Sequence, residues 1–214
     1  MTPALQSHAT LALCRLAPVI PVLVIDDLRQ AEPLAQALVK GGLPVLEVTL
    51  RTACAIEAIA VMAKVPGARV GAGTVLSAHD AARARAAGAE FAVSPGATPA
   101  LISACVAQGL PLLPGAATAS EVMVLLEIGY RTLKFFPAEA AGGVTLLESL
   151  RAPLPQAMFC PTGGITADNA PSYLNLQNVA CVGGSWVAPA SLLKAGDWDA
   201  VTRLARKASG LARE

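Results

Sequence analysis

The sequence predicts an α/β fold, a (β/α)8 barrel (TIM barrel) preceded by an N-terminal outer helix. Short apolar strands alternate with helical segments along all 214 residues, which is typical of parallel strands joined by right-handed helical crossovers. In the later part of the chain each strand follows a glycine that ends a helix, and Gly88, Gly109 and Gly129 are 21 and 20 residues apart. No linker or change in composition interrupts the roughly eight units, so we expect one domain over residues 1–214.

The first half of the chain supplies the outer helix and four strand–helix units. The outer helix is expected over residues 4–17, and the strands over residues 19–25, 45–50, 69–74 and 90–96. Asp26 and Asp27 are available to cap the first barrel helix, and the second helix covers residues 52–64. Ser77 and Asp80 have the spacing of a capping box at the third helix.

The second half supplies four more units. Its strands are expected over residues 110–115, 132–136, 157–161 and 179–182. Thr98 before Pro99, and Thr118 with Glu121, mark two helix starts. Further helices are expected over residues 144–150, over residues 168–174, and in a tail from residue 191 that is broken near residue 196.

An open, doubly wound sheet is the alternative to a closed barrel. That fold expects a glycine-rich loop after its first strand. The residues there, Val24-Ile25-Asp26-Asp27, contain no glycine, so the closed barrel is favoured.

The composition narrows the classes of function. Hydrophobic residues make up 54% of the chain and the net charge is +1, so nothing indicates binding to nucleic acid. No apolar run reaches the roughly 18 residues of a membrane span. Gln6, His8 and Arg15 interrupt any signal-peptide pattern, and the five cysteines lack CxxC spacing, which is typical of reduced core residues. We therefore expect a cytoplasmic protein that binds neither membrane nor nucleic acid.

One predicted strand carries a lysine among apolar neighbours. Because side chains alternate on a strand, Lys134 shares a face with Phe136, while Leu133 and Phe135 occupy the other face. A lysine on a solvated edge strand would be ordinary. In a parallel strand covered on both sides, burial disfavours the charged form, and a neutral amine is a nucleophile toward carbonyls.

The second strand carries a carboxylate and a guanidinium on its inward face. Leu46, Val48 and Leu50 form the apolar face, so Glu47 and Arg51 are expected to point into the barrel. The alternative is an internal salt bridge, from Glu47 to Arg51 or to Lys134, with no catalytic role.

Strands two and six face each other across a barrel, so Glu47 and Lys134 are expected to meet. An amine beside a carboxylate that moves protons is what imine chemistry at a carbonyl needs. Arg51 could bind a substrate carboxylate, and Thr74, at the end of strand three, offers a hydroxyl or caps a turn.

Two glycine pairs follow strands seven and eight, where barrels commonly bind phosphate. They belong to Thr162-Gly163-Gly164 and Gly183-Gly184-Ser185. The alternative is that they are only tight turns. Metal chemistry is not expected, because the only histidines, His8 and His79, lie in helical segments. Cys160 and Cys181 are expected to approach each other as packing residues, and no cofactor is expected.

Several motifs together resemble the 2-keto-3-deoxy-6-phosphogluconate (KDPG) aldolase family, which also cleaves 4-hydroxy-2-oxoglutarate. The resemblance covers nearly the whole chain from about residue 18. Its motifs are Leu46-Glu47-Val48-Thr49-Leu50-Arg51-Thr52, Val70-Gly71-Ala72-Gly73-Thr74-Val75, Ser94-Pro95-Gly96, Lys134-Phe135-Phe136-Pro137-Ala138-Glu139, Cys160-Pro161-Thr162-Gly163-Gly164-Ile165 and Gly183-Gly184-Ser185-Trp186.

The resemblance implies a trimeric class I aldolase of the Entner–Doudoroff pathway, without metal or cofactor. It implies a Schiff base at Lys134 and proton transfer by Glu47. It implies that the pyruvate part is held by Arg51, Thr74 and Pro95, with Phe136 nearby and Thr162 influencing stereochemistry. It implies that phosphate is bound by Gly163, Gly164, Gly184 and Ser185.

The expected reaction is reversible cleavage of 2-dehydro-3-deoxy-6-phospho-D-gluconate to pyruvate and D-glyceraldehyde 3-phosphate. Two alternatives remain at this stage. One is another phosphate-binding barrel, an epimerase or isomerase in which Lys134 acts only through its charge. The other is a non-enzymatic protein that binds a sugar phosphate.

Overall fold

A computed structural model describes residues 1–211. The last three residues of the predicted domain and of the predicted helical tail lie outside this range. The strands are β1 (Val19–Leu23), β2 (Val45–Thr49), β3 (Arg69–Gly73), β4 (Phe91–Val93), β5 (Leu112–Leu113), β6 (Gly115–Ala116), β7 (Thr132–Phe135), β8 (Met158–Pro161) and β9 (Val182–Gly184). The helices are α1 (Pro3–Cys14), α2 (Ala31–Lys40), α3 (Ala55–Met62), α4 (Ala78–Ala86), α5 (Pro99–Gln108), α6 (Ala119–Glu127), α7 (Gly143–Arg151), α8 (Ala170–Leu174), α9 (Ala190–Ala195) and α10 (Trp198–Ser209).

The strands form an α/β fold with a curled parallel sheet. One sheet has the order β5-β4-β3-β2-β1-β9, and the other has the order β6-β7-β8. Within these sheets the pairings are parallel. Two isolated parallel bridges, Phe159 to Val179 and Thr162 to Gly183, connect the β8 segment with the β9 segment. The predicted alternation of strands and helices is therefore confirmed.

The predicted fifth strand is divided into β5 and β6 at Pro114. β5 pairs with β4 and β6 pairs with β7, so the two short strands belong to different sheets. Proline has no backbone N–H to donate to a ladder, which explains the break. The Pro114 carbonyl still accepts a hydrogen bond from the backbone of Lys134 at 2.8 Å.

The eighth strand begins later than predicted because the chain bulges just before it. Between the two isolated bridges the β8 segment advances three residues, from 159 to 162, while its partner advances four, from 179 to 183. One extra residue on one strand is the signature of a β-bulge. Ala180 and Cys181 consequently both pack into the same interior cluster.

Alternating side chains divide the core into two layers. Leu46, Val48, Leu133 and Phe135 belong to the large layer that also contains the buried faces of the helices. A smaller group, here called the interior cluster, consists of Leu13, Cys14, Ile20, Val45, Phe91, Val93, Leu113, Cys160, Ala180 and Cys181. The faces predicted for the second and sixth strands are thus confirmed.

Helix α1 was predicted to pack on the outside of the barrel. In the structure it closes the amino end of the sheet. The Gln6 side chain accepts a hydrogen bond from the backbone of Leu112 at 3.3 Å. The Ser7 hydroxyl accepts hydrogen bonds from the backbones of Arg131 and Thr132, both at 2.8 Å. The reason is the composition of the helix, which buries polar residues able to satisfy the backbone donors of β5 and β7.

Three of the predicted helix caps are present, but Asp27 caps a short 3-10 turn over Leu28–Gln30 and not α2, which begins without a side-chain cap at Gln30. Ser77 and Thr98 accept hydrogen bonds from the backbones of Asp80 and Leu101. Thr118 and Glu121 form a complete capping box at the start of α6. Over residues 1–211, no helix is both long and apolar enough to cross a bilayer.

Candidate active site

Lys134 and Glu47 form an ion pair inside the curled sheet. Lys134 Nζ donates a hydrogen bond to Glu47 Oε1 at 3.2 Å, and the two side chains are only 7% and 4% exposed. The pair joins β7 to β2, as alternation on the two strands predicted. Removal of one partner from a buried pair typically costs about 3–5 kcal/mol, because the other charge is left without compensation.

An aromatic ring lies beside the lysine. The ring centroid of Phe136 is 5.1 Å from Lys134 Nζ, within the range of a cation–π contact. The backbone of Lys134 lies in register with Gly115 on one side and Cys160 on the other. The amine is thus largely buried beside an aromatic ring, with Glu47 as its acceptor.

Two glycines of β3 make room for large inward side chains. A β-carbon on Gly71 would lie 2.4 Å from the Phe91 ring, and one on Gly73 would lie 2.3 Å from Oε1 of Glu47. Sequence analysis assigned neither glycine a structural role. The signal was present, because glycine inside a strand often marks a close approach of another group.

Thr74 has an uncommon backbone conformation for a β-branched residue. It follows β3 with φ of 58° and is half-buried. A branched side chain in the left-handed region is disfavoured by of order 1–3 kcal/mol, and such strain clusters at functional sites. The chain bends at this position, and no sequence signal predicted its left-handed geometry.

Pro95 reaches the strand next to the lysine through its backbone. A β-carbon on Gly115 would lie 2.2 Å from the carbonyl oxygen of Pro95, and Gly115 pairs with Lys134. The loop that follows β4 therefore lies against the strand beside the amine.

Arg51 is exposed and lies at the end of β2. Its Nε donates to the hydroxyl of Thr49 at 3.2 Å, and that hydroxyl donates to the Leu23 carbonyl at 2.8 Å. Glu47 therefore pairs with Lys134 and not with Arg51, which settles the choice between the two predicted salt bridges. The guanidinium retains further donors that can bind an anion.

The loop after β8 has a backbone geometry that glycine allows and that lets another group approach closely. Gly163 and Gly164 have φ of 101° and 79°, which glycine adopts readily. Thr162 forms a bridge with Gly183, where a β-carbon would lie 2.3 Å from the threonine hydroxyl. The two predicted glycine loops are thus adjacent in the structure.

The second glycine loop opens toward a cavity. A β-carbon on Gly184 would overlap the ring of Trp186, so this position excludes any side chain. Ser185 is exposed and contributes to a cavity of about 300 Å³ that also contacts Asp26 and Lys194. Glu47 and Lys134 do not contribute to the lining of this cavity.

Sequence analysis missed a hydrogen bond that supports the first glycine loop. The Tyr173 hydroxyl donates to the Glu139 carboxylate, and the Glu139 backbone donates to the Gly163 carbonyl at 3.1 Å. A β-carbon on Gly164 would lie 2.6 Å from Cγ of Glu139. Burial, together with the Glu139 carboxylate, raises the pKa of Tyr173 well above its ordinary value, so the phenol remains a donor.

The site contains a buried amine paired with a carboxylate, and two adjacent loops that are rich in glycine. Within the part of the chain that the structure describes, no three His, Cys, Asp or Glu side chains are grouped as metal ligands. A buried amine paired with a carboxylate can form an imine with a ketone and transfer protons around it.

Comparisons with known proteins identify relatives of this chain. The family model of KDPG and KHG aldolase matches residues 11–204. The KHG/KDPG aldolase of Escherichia coli K12 is 53% identical over 192 residues, which cover 89% of this chain and 90% of the relative.

Two solved structures are also similar. The KDPG aldolase of Zymomonas mobilis ZM4 with 3-phosphoglycerate has a TM-score of 0.90 and 54% identity, covering 94% of this chain and 95% of that one. The KDPG aldolase of Legionella pneumophila, with pyruvate captured at low pH as a covalent carbinolamine intermediate, has a TM-score of 0.91 and 47% identity. The match covers 94% of this chain and 98% of the Legionella chain. Together with the family match, these identities over nearly the full length show that the chain belongs to the KDPG and KHG aldolase family and is an aldehyde-lyase.

Proposed function

We propose that the protein is a class I aldolase that cleaves 2-dehydro-3-deoxy-6-phospho-D-gluconate reversibly to pyruvate and D-glyceraldehyde 3-phosphate. The observation that carries the proposal is the buried pair of Lys134 and Glu47, with Nζ and Oε1 3.2 Å apart. A lysine on an inward strand face with one carboxylate partner has the position required of an imine-forming nucleophile.

The reaction begins when the neutral amine of Lys134 attacks the C2 ketone of the substrate. The resulting carbinolamine loses water to give a protonated imine, which accepts electrons. Glu47, directly or through water, takes the C4 hydroxyl proton as the C3–C4 bond breaks. Glyceraldehyde 3-phosphate leaves, and the enamine of pyruvate is protonated and hydrolysed. The covalent pyruvate carbinolamine of the Legionella relative supports this order of steps.

The pyruvate part of the substrate is held by groups around the amine. Arg51 binds the carboxylate with the donors that Thr49 leaves free. Thr74 and Pro95 contact the same part from the ends of β3 and β4, and the Phe136 ring packs against it. Thr162, which directly follows β8, influences which face of the enamine reacts.

The phosphate is held by the two glycine loops, where backbone N–H groups can approach an anion closely. Gly163 and Gly164 contribute from the loop after β8, and Gly184 and Ser185 contribute from the loop after β9. The 3-phosphoglycerate in the Zymomonas relative is a phosphorylated three-carbon compound, as is the proposed product D-glyceraldehyde 3-phosphate. The name of the Escherichia coli relative supports 4-hydroxy-2-oxoglutarate as a second substrate, cleaved to pyruvate and glyoxylate.

The same proposal includes a closed (β/α)8 barrel, one domain and a cytoplasmic homotrimer. The two bridges between the β8 and β9 segments, and the single residue between β5 and β6, support closure. An apolar face on α6, where Met123 is 51% and Val124 is 58% exposed, supports assembly. Sedimentation equilibrium should give the mass of a trimer, and a monomer at micromolar concentration would refute this part.

The deciding experiment is trapping of the imine. Borohydride added with pyruvate should inactivate the enzyme and leave one stable adduct, which peptide mapping should place on Lys134. Lys134→Arg should abolish both the adduct and pyruvate release, because a permanent cation cannot attack the ketone. Lys64→Arg, a change at an exposed lysine that follows α3, is the matched control and should keep both. An adduct on another lysine, or normal turnover by Lys134→Arg, would show that the assignment is wrong.

A further inference from the structure

Three cysteine side chains meet inside the sheet below the proposed active site. Here called the thiol cluster, they are Cys14 at the end of α1, Cys160 on β8 and Cys181 just before β9. Cys181 Sγ donates a hydrogen bond to Cys160 Sγ at 3.5 Å. All three are at most 3% exposed, and the proposed mechanism uses none of them.

The chain geometry brings these thiols together from distant parts of the sequence. The bulge before β9 turns both Ala180 and Cys181 inward, where regular alternation would turn only one of them. Cys160 lies in register with Lys134, so the cluster adjoins the strand position that carries the amine. The sequence predicted the approach of Cys160 to Cys181 but not the third thiol.

The environment of the cluster shifts the pKa of one thiol downward and the pKa values of the other two upward. Hydrogen bonds from the thiols of Cys14 and Cys181, aided by the charge of Lys134, hold the pKa of Cys160 well below its ordinary value. The same hydrogen bonds, with burial, raise the pKa values of Cys14 and Cys181. By contrast, burial alone raises the pKa of the isolated Cys105 to about 11, which is typical of an inert thiol.

A separate cavity leads toward the cluster from the amino end of the strands. Its volume is about 400 Å³, and Cys14 and Ala180 form part of its lining. A small neutral oxidant in this cavity would lie beside Cys14, on the face opposite the carboxyl ends of the strands, whereas Cys160 and Cys181 do not line the cavity. This route does not pass through the substrate site.

We propose that the thiol cluster is an oxidation site at which a hydroperoxide joins Cys160 to Cys181 and slows the enzyme reversibly. The Cys160 thiolate attacks the peroxide oxygen, the O–O bond breaks, and water leaves once the departing oxygen is protonated, giving a sulfenic acid. The Cys181 sulfur then attacks the Cys160 sulfur, and a second water leaves as the disulfide forms. In balance, two thiols and one hydrogen peroxide give one disulfide and two waters.

The disulfide changes the strand that lies beside the amine. A disulfide requires sulfurs about 2.05 Å apart, so the two sulfurs must approach from their present 3.5 Å. β8 and the segment before β9 move together; β8 carries Cys160, which pairs with Lys134, and Thr162 directly follows β8. A displacement near 1 Å at reacting groups can lower turnover by up to roughly 10²-fold. We expect a loss of pyruvate release of at least about tenfold, restored by dithiothreitol.

The test is direct chemical mapping of the peroxide-treated enzyme. Remaining thiols are alkylated after denaturation, and the protein is digested with chymotrypsin. This choice matters because residues 152–193 contain no lysine or arginine, so trypsin leaves Cys160 and Cys181 on one peptide, whereas cleavage after Tyr173 separates them. We expect peptides linked through Cys160 and Cys181, with Cys105 alkylated.

Matched variants connect the linkage to activity. Cys181→Ala should keep basal turnover and lose the reversible inhibition by peroxide, whereas Cys105→Ala should behave as the unmodified enzyme. The mapping does not depend on the substrate, so it distinguishes failure of this proposal from failure of the proposed aldolase reaction. The proposal is overturned if the two cysteines are not linked, if linkage leaves turnover unchanged, or if Cys181→Ala is inhibited to the same extent.

Discussion

A β-carbon on Gly73 would lie 2.3 Å from Oε1 of Glu47 and 2.6 Å from its Cγ. The missing side chain on β3 therefore determines where the carboxylate of β2 can lie, and hence its 3.2 Å contact with Lys134. Neither residue is a chain neighbour of the other. The space that Gly73 leaves beside the Glu47 carboxylate is therefore part of the site, as the charged groups are.

Gly73→Ala is expected to move the Glu47 carboxylate away from Lys134. Turnover should fall by roughly 10- to 100-fold, the usual scale for a displacement near 1 Å, while borohydride still traps pyruvate on Lys134. Gly96→Ala is the control, because a β-carbon there has no neighbour within 4 Å. Steady-state kinetics of pyruvate release measure both variants, and equal turnover in the two would contradict the clearance argument.

Glu47→Gln is expected to separate imine formation from bond cleavage. The amide keeps the shape of the side chain but cannot accept a proton, so cleavage should slow by roughly 10²- to 10⁴-fold while some adduct still forms. Glu57→Gln, a change at an exposed carboxylate of α3, should leave turnover unchanged. Circular dichroism checks that the unpaired Lys134 has not unfolded the protein. Unchanged cleavage by a folded Glu47→Gln enzyme would exclude this residue as the proton acceptor.

Ser185→Glu is expected to discriminate between the two proposed substrates. A carboxylate in the loop after β9 repels phosphate, so kcat/KM for the phosphorylated substrate should fall at least about tenfold more than for 4-hydroxy-2-oxoglutarate. Ser149→Glu adds the same charge at an exposed position of α7, outside both glycine loops, and should affect neither substrate. An equal loss on both substrates would mean that phosphate binds elsewhere.

Thr74→Gly is expected to stabilise the fold and weaken catalysis. Glycine adopts φ near 58° without the clash of a β-carbon, so the free energy of unfolding should rise by about 1 kcal/mol. Turnover should fall because the hydroxyl proposed to contact pyruvate is lost. Thr74→Ser keeps the hydroxyl and should retain more activity than Thr74→Gly. Urea denaturation beside kinetics tests both effects, and a destabilised Thr74→Gly would show that the backbone is not strained.

Glu121→Gln is expected to change the pH dependence of stability. Hydrogen bonds from the backbones of Ala117 and Thr118 lower the pKa of Glu121 from its ordinary value of 4.5. A lowered pKa means that the contribution of the carboxylate is complete above the unfolded value and is lost as pH falls through the folded value.

Because Glu121 is largely exposed, the variant should lose only about 0.5 kcal/mol at pH 7, and the difference should vanish at strongly acid pH. Glu127→Gln, at the other end of α6, removes a carboxylate that the helix dipole disfavours and should not destabilise. Urea titrations at neutral and acid pH measure these differences, and a constant difference would contradict the assignment.

Sequence patterns predicted the features of the site that depend on local alternation. Side chains on a strand alternate whatever the strand packs against, so the inward positions of Glu47 and Lys134 followed from their apolar neighbours. The helix caps at Thr98 and Thr118 could also be predicted locally, because a cap is formed within four residues.

The features that escaped prediction depend on contacts between distant segments. The clearance at Gly73 exists only because β2 and β3 are in a particular register. The division of the fifth strand at Pro114 depends on which neighbour each half finds. The bulge at Ala180 and Cys181 depends on the pairing of that segment with β8, which no local pattern encodes.

The position of α1 has a consequence for synthesis of the chain. The backbone donors of Leu112, Arg131 and Thr132 are satisfied by Gln6 and Ser7, which precede them by 106, 124 and 125 residues. A ribosome releases the helix long before these strands exist, so its polar face must remain hydrated until more than half of the chain has emerged. Docking of α1 is therefore a late, long-range event, and a nascent chain shorter than about residue 132 lacks the partners that hold the helix in place.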